Sequence, residues 1–232
     1  MAATELDKAA TGVDKDSCAW GVVSHPESRW PASVAVVASA VLYITLPERF
    51  TIGPAWLLPM LEFALLVPLT VAVPMRHARE TAAHRTTSVS LVALVSAANV
   101  ASLILLVNSL LNGVQRAGAE LFFAAMQIWL TNVIVFGLWY WELDRGGPSA
   151  RCRANHREPD FLFPQMSTPA AAPTNWGPRF LDYLYLAFTN ATAFSPTDTL
   201  PLTAWAKVLM AIQSVTSLIT VALVAGKAVN VL

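Results

Sequence analysis

The sequence predicts an all-α transmembrane protein, a bundle of about five spanning helices. Two observations predict it. Of 232 residues, 55% are hydrophobic and 13% are charged, roughly half the charge of a soluble domain, and mean hydropathy is +0.52. The charges are also segregated. No Asp, Glu, Lys or Arg lies between Arg29 and Glu48, Arg85 and Arg116, Glu120 and Glu142, or Lys207 and Lys227. About 20 apolar residues cross a bilayer as a helix, so these stretches read as crossings.

In chain order, residues 1–29 form a polar N-terminal tail, too acidic for the basic start of a signal peptide. Spans follow at 31–46, closed by Pro47, and at 55–74, which holds one acid, Glu62. Intramembrane carboxylates face the bundle interior or a cavity. Glu62 is an ion or proton site, or a protonated structural acid bonded to Asn99, Asn132 or Gln127. Spans at 87–111 and 121–141 follow. Trp30, Trp56, Trp139, Trp141 and Trp205 sit near span ends, where aromatic rings anchor at the headgroups.

Residues 142–179 make a 38-residue loop rich in proline, with five arginines and four acids. A loop of that length is functional or disordered. Next comes an apolar, aromatic segment, Phe180 to Thr192. At 1.5 Å per residue it reaches ~20 Å, short of a ~30 Å hydrocarbon core. Pro196 and Pro201 bar helix beyond it, and Ser195, Thr197 and Asp198 favour turns. The last span runs from 204 to 231. A half-helix, a short polar loop and a full helix form a re-entrant segment, as in selectivity filters. The alternative is an interfacial helix with an ordinary loop.

Leu186-Ala-Phe-Thr-Asn-Ala-Thr-Ala-Phe-Ser-Pro-Thr-Asp198 resembles, without gaps, the pore-helix and filter signature of tetrameric potassium channels. Thr192 falls where the filter's opening threonine pair begins, and Asp198 on the acid that follows it. Pro201, Thr203, Ala206 and Lys207 fall where many such channels have the same residues. The resemblance implies a pore module over 117–232: outer helix 121–141, loop 142–179, pore helix 180–192, filter 193–198 and inner helix 204–232. About three extra spans, within 30–116, precede it. None carries the periodic arginines of a voltage sensor.

The filter departs from the family's Thr-Val-Gly-Tyr-Gly-Asp. Ala193-Phe194-Ser195-Pro196-Thr197-Asp198 has Ser195 and Thr197 for the glycines. It therefore lacks the backbone freedom that a stack of axial carbonyls uses, and Pro196 fixes φ and removes an N–H. A wider filter with fewer ion sites is expected. The chain is similar to a small bacterial group of potassium-channel relatives with proline-containing filters. That resemblance implies a homotetramer in the inner membrane conducting K⁺ and Na⁺ with weak selectivity, and Ca²⁺ acting as a gate. The Ca²⁺ would lie near Thr192, Ala193, Ser195, Thr197 and Asp198, held mostly by backbone oxygens. Calcium takes six to eight oxygens in flexible geometry, and a helix C-terminus offers unpaired carbonyls. Four copies of Asp198 would ring one mouth and favour cations. Alternatively, Asp198 caps the local turn.

Gln213, Ser217 and Thr220 share a face of the last span. They line the pore or form interhelical hydrogen bonds. Gly226 is a hinge or a packing position.

The composition and motifs exclude other classes. Fifteen Lys+Arg balance fifteen Asp+Glu, so there is no net field to draw nucleic acid. Cys18 and Cys152 allow at most one bridge. His25, His77, His84 and His156 form no ligand motif, and no P-loop, nucleophile elbow or dinucleotide fingerprint occurs. No enzyme and no covalent cofactor is expected. Two non-channel functions remain: a non-conducting channel-like scaffold, and a small proton-coupled transporter using Glu62.

Orientation is contested. With five crossings, the filter mouth shares its side with twelve basic residues against three, Arg49, Arg116 and Lys227, on the other. Counting positive charge puts that mouth in the cytoplasm. The channel resemblance puts it outside, which is the orientation expected here.

Overall fold

The computed structural model describes residues 28–71, 82–112, 118–151, 158–168, 172, 176–193 and 198–229. They fold as helices α1 (Trp30–Ile44), α2 (Leu57–Val71), α3 (Ala82–Leu111) and α4 (Gly118–Leu143), short α5 (Pro148–Arg151) and α6 (Pro164–Ser167), then α7 (Phe180–Ala193) and α8 (Ala204–Val229). Cys18, Cys152, His25, His77 and His156 lie outside the described residues, as does most of the N-terminal tail.

Three described helical stretches are long and apolar enough to cross a membrane: Arg85–Leu111, Ala119–Gly146 and Ala204–Gly226. The chain is therefore an all-α, membrane-embedded protein. The two N-terminal helices are shorter. α1 and the described part of α2 have 15 residues each, or ~22 Å of rise. Pro31 starts α1 at its first turn, where a missing N–H costs nothing. Thr45 ends it, its hydroxyl donating to the Val41 and Leu42 carbonyls at 2.9 and 3.1 Å. Pro47 then prevents continuation, and a 3₁₀ turn over Glu48–Phe50 seats Phe50, fully buried, against α3 and α4.

The central helix is α4, which packs against α1, α3, α7 and α8. Without a hydrophobic force between helices in lipid, such contacts rest on close packing and polar bonds. Gly137 permits a close approach: a Cβ there would lie 3.1 Å from the backbone Cα of Leu184 on α7. One hydrophobic cluster joins α4, α7 and α8 to the loop residues Phe161, Phe163 and Met166. A second fills the opposite end, with Leu46, Phe50, Leu106, Leu121 and Ile128.

Two-residue strands tie the loop to the chain after the filter-like segment. β1 (Phe161–Leu162) pairs antiparallel with β2 (Leu200–Pro201), Phe161 facing Pro201 and Leu162 facing Leu200. The Leu202 N–H donates to the Asp160 carbonyl at 2.8 Å. Polar contacts also match helix ends as successive crossings require. Arg85, at the start of α3, reaches Gly146 just past α4. Arg49, after α1, pairs with Glu120 at the start of α4.

Candidate functional site: the cradle of the half-length helix

α7 is a 14-residue helix, ~21 Å long, lodged between α4 and α8. Its boundaries differ by one residue from the expected half-helix at 180–192. It buries Tyr183, Leu186, Ala187, Asn190 and Ala191. It leaves Leu181, Tyr185, Phe188 and Thr192 exposed along one stripe, at i, i+4, i+7 and i+11.

A hydrogen-bonded network fastens the C-terminal half of α7 to α8. The Gln213 Nε2 donates to the Ala187 carbonyl at 2.7 Å. Its Oε1 accepts from the Tyr140 hydroxyl at 2.6 Å and from Asn190 Nδ2 at 2.8 Å. The second Asn190 N–H goes to the Met210 carbonyl at 3.0 Å, and Ser214 donates to Asn190 Oδ1 at 3.1 Å. One turn further along, Ser217 donates to the Ala191 carbonyl at 2.6 Å and accepts from the Trp129 indole at 2.8 Å. Asn132 Nδ2 donates to the Gln213 backbone carbonyl at 3.4 Å. Buried networks of this kind fix one geometry to the extent that their members are satisfied. Here Gln213 and Asn190 use both the oxygen and the nitrogen of their amides, while Asn132 Oδ1 has no hydrogen-bond partner among the described residues.

Gln213, Ser217 and Thr220 do share a face, and within the chain that face is buried. Gln213 and Ser217 are bonded to α7, and Thr220 to the Thr216 carbonyl at 2.8 Å. The Gln213 and Ser217 contacts run between helices, whereas the Thr220 bond stays within α8. The open face of α8 is apolar: Val208, Ile212, Val215, Leu218, Ile219 and Val221 are exposed. Gly226 is exposed, with nothing near the position of a Cβ.

The other end of α7 is anchored by charge. Asp144, fully buried, accepts at Oδ1 from the Asp160 N–H at 2.8 Å and at Oδ2 from the Tyr183 hydroxyl at 2.5 Å. Asp160 accepts at Oδ2 from the Arg145 N–H at 2.9 Å and at Oδ1 from the Trp205 indole at 2.8 Å. The buried Arg151 Nη1 donates to the Trp141 carbonyl at 2.6 Å, and its guanidinium lies 5.1 Å from the Tyr183 ring centre. The turn that makes this possible needs Gly147: φ is +104°, and a Cβ would meet the Glu142 carbonyl oxygen at 2.9 Å. Sequence reasoning missed this cluster. Its signal was present: acids and arginines immediately after an aromatic span end, interleaved with glycine.

Of the residues expected to form a filter, Thr192 and Ala193 end α7, and Asp198 is exposed. Phe194, Ser195, Pro196 and Thr197 lie outside the described residues. Thr192 donates its hydroxyl to the Phe188 and Thr189 carbonyls at 3.0 and 3.2 Å, so its lone pairs remain acceptors. The donors available here are all oxygens, which suits Ca²⁺ or alkali cations. The Ala191 carbonyl is already bonded to Ser217. Among the described residues, no group of three or more His, Cys, Asp or Glu could hold a metal ion.

A second polar site lies apart from α7, among α1, α2, α3 and α4. Glu62 on α2 is buried in a cavity whose polar lining is Ser39, Tyr43, Asn99, Ser102, Gln127 and Thr131. The cavity has room for about one water molecule. Among the described residues, both Glu62 oxygens and the Ser102 hydroxyl have no hydrogen-bond partner. Asn99 and Gln127 share this cavity, whereas Asn132 bonds at the α4–α8 contact.

Comparison of the chain with protein-family models, curated proteins and solved structures found no match.

Proposed function

We propose that the chain is the subunit of a homotetrameric cation channel, with α4, α7 and α8 as its outer, pore and inner helices. The observation that carries this reading is the placement of α7. A helix too short to cross is docked between two long apolar helices, and its C-terminal turn, bonded to Gln213 and Ser217, leads directly into the filter-like residues 194–198. Polar groups at the end of a half-helix inside a bundle are sustained where backbone lines a cavity. Gln213 and Ser217 then position the pore helix, and the cavity wall falls to the exposed apolar face of α8.

Thr192, Ala193, Ser195, Thr197 and Asp198 would hold Ca²⁺ through oxygens, and the bound divalent charge would oppose entry of monovalent cations. Four Asp198 carboxylates at one mouth would exclude anions. The mouth faces outward in this reading.

Flux measurements on the full chain in liposomes test it. Conductance with weak discrimination between K⁺ and Na⁺, reduced by Ca²⁺ on the mouth side, is expected. Silence at every Ca²⁺ concentration, in protein shown to be folded, rejects the channel in favour of the scaffold.

A further inference from the structure

We propose that the Glu62 cavity is a binding site for one monovalent alkali cation, Na⁺ or K⁺, that holds the N-terminal helices together. The site lies apart from α7 and stands whether or not the chain conducts.

Four elements build the cavity. Glu62 comes from α2, Ser39 and Tyr43 from α1, Asn99 and Ser102 from α3, and Gln127 and Thr131 from α4. Both carboxylate oxygens and the Ser102 hydroxyl are buried and have no hydrogen-bond partner among the described residues. Ser39 already donates its proton to the Val36 carbonyl at 2.7 Å, so it offers only lone pairs. The Tyr43 hydroxyl accepts from the Ile52 N–H at 3.0 Å. Oxygens grouped around a space for about one water match the ligand set of a small hard cation.

Charge fixes the valence. α1 carries no Asp, Glu, Lys or Arg. The described part of α2 carries only Glu62. On α3, His84 and Arg85 lie in the first turn, and on α4, Glu120 and Glu142 lie at the two ends. One carboxylate with no countercharge among the described residues of these helices is neutralised by one monovalent ion. A divalent ion would leave an uncompensated positive charge in an apolar bundle, which is costly.

Thermal unfolding of the purified full chain in detergent tests the site, in Na⁺, K⁺ and N-methyl-D-glucamine chlorides at equal ionic strength. Na⁺ or K⁺ should raise Tm by about 3 °C over the organic cation, as expected for a ligand that binds only the folded state. The better ion identifies the one that fits. Glu62→Gln should abolish the difference, and Ser102→Ala, which keeps the carboxylate, should diminish it. Equal Tm in all three salts overturns the proposal and leaves Glu62 a protonated structural acid. A difference that survives Glu62→Gln also overturns it, because the ion then binds elsewhere, as in the filter. If Glu62→Gln yields no folded protein, Ser102→Ala decides: an undiminished difference rejects the site.

Discussion

The side-chain amide of Gln213 on α8 donates to the Ala187 carbonyl on α7 across 2.7 Å, and its oxygen accepts from Tyr140 on α4 and Asn190 on α7. One side chain therefore joins the three helices of the proposed pore. Gln213→Leu keeps the bulk and strands the Tyr140 hydroxyl and one Asn190 N–H in a dry interface. The expected loss is about 2 kcal/mol, or roughly 4–8 °C in Tm, read by thermal unfolding in detergent. In liposomes the same variant should change the K⁺/Na⁺ permeability ratio, because the end of α7 sets the filter. A variant that loses stability with an unchanged ratio separates the packing role from the pore role.

At Gly137, α4 and α7 approach closely. An added methyl would meet both the Leu184 backbone and its Cδ1 at 3.1 Å. The Leu184 backbone cannot rotate away, so Gly137→Ala should push α7 outward and cost about 1–3 kcal/mol. Its better helix propensity would offset at most about 1 kcal/mol of this. Gly226→Ala is the control: nothing lies within reach of its Cβ, and stability should hold or rise slightly.

Tyr183 links the buried charge cluster to α7 through Asp144. Tyr183→Phe removes only the hydroxyl and leaves one lone pair of Asp144 Oδ2 without its donor, while Oδ1 keeps the Asp160 N–H. Hydrogen bonds to charged groups contribute about 1.5–3 kcal/mol, so a loss in that range is expected. Trp205→Phe should free Asp160 in the same way. Hydrogen exchange should then rise at 160–163 and at 200–202, which share β1, β2 and the Leu202–Asp160 bond. Exchange that stays protected in both variants would show that the aromatic cluster alone holds the loop.

The helices were legible because charge-free length and proline are strong signals. The expected pore helix at 180–192 and the described α7 differ by one residue, and the last span begins where Thr203 and Ala204 suggested. Buried polarity was harder to read. Gln213, Ser217 and Thr220 were found on one face, since helical periodicity fixes that. Periodicity cannot say whether a polar face meets water or the carbonyls of a neighbouring half-helix. The buried cluster within 142–179 was hidden for a related reason. Composition marks proline and arginine as loop-forming, but Asp144, Arg145, Arg151 and Asp160 become core residues only when the turn at Gly146–Gly147 and the strand pair bring them together. The Glu62 cavity was half visible. A lone acid in a span announces an interior position, yet its neighbours Ser39 and Ser102 emerge only from helix packing.

The stripe Leu181, Tyr185, Phe188 and Thr192 on α7 is exposed on the described chain. In a fourfold channel each pore helix faces a neighbouring copy, and this stripe is the surface that would do so. Phe188 lies at its centre, and its ring also meets Trp129 of α4 edge-on, centroids 6.1 Å apart. Tyr185 is the more exposed and makes no such ring contact among those described. Tyr185→Lys should therefore spare the fold while placing a charge in a subunit contact, where an unpaired charge costs several kcal/mol. The expected result is a shift from tetramer to monomer in detergent, with Tm of the monomeric form close to that of the monomeric wild type. A tetramer that survives Tyr185→Lys and Leu181→Lys together would mean that this face meets lipid. A wild-type chain that is monomeric at every concentration would remove the fourfold pore altogether.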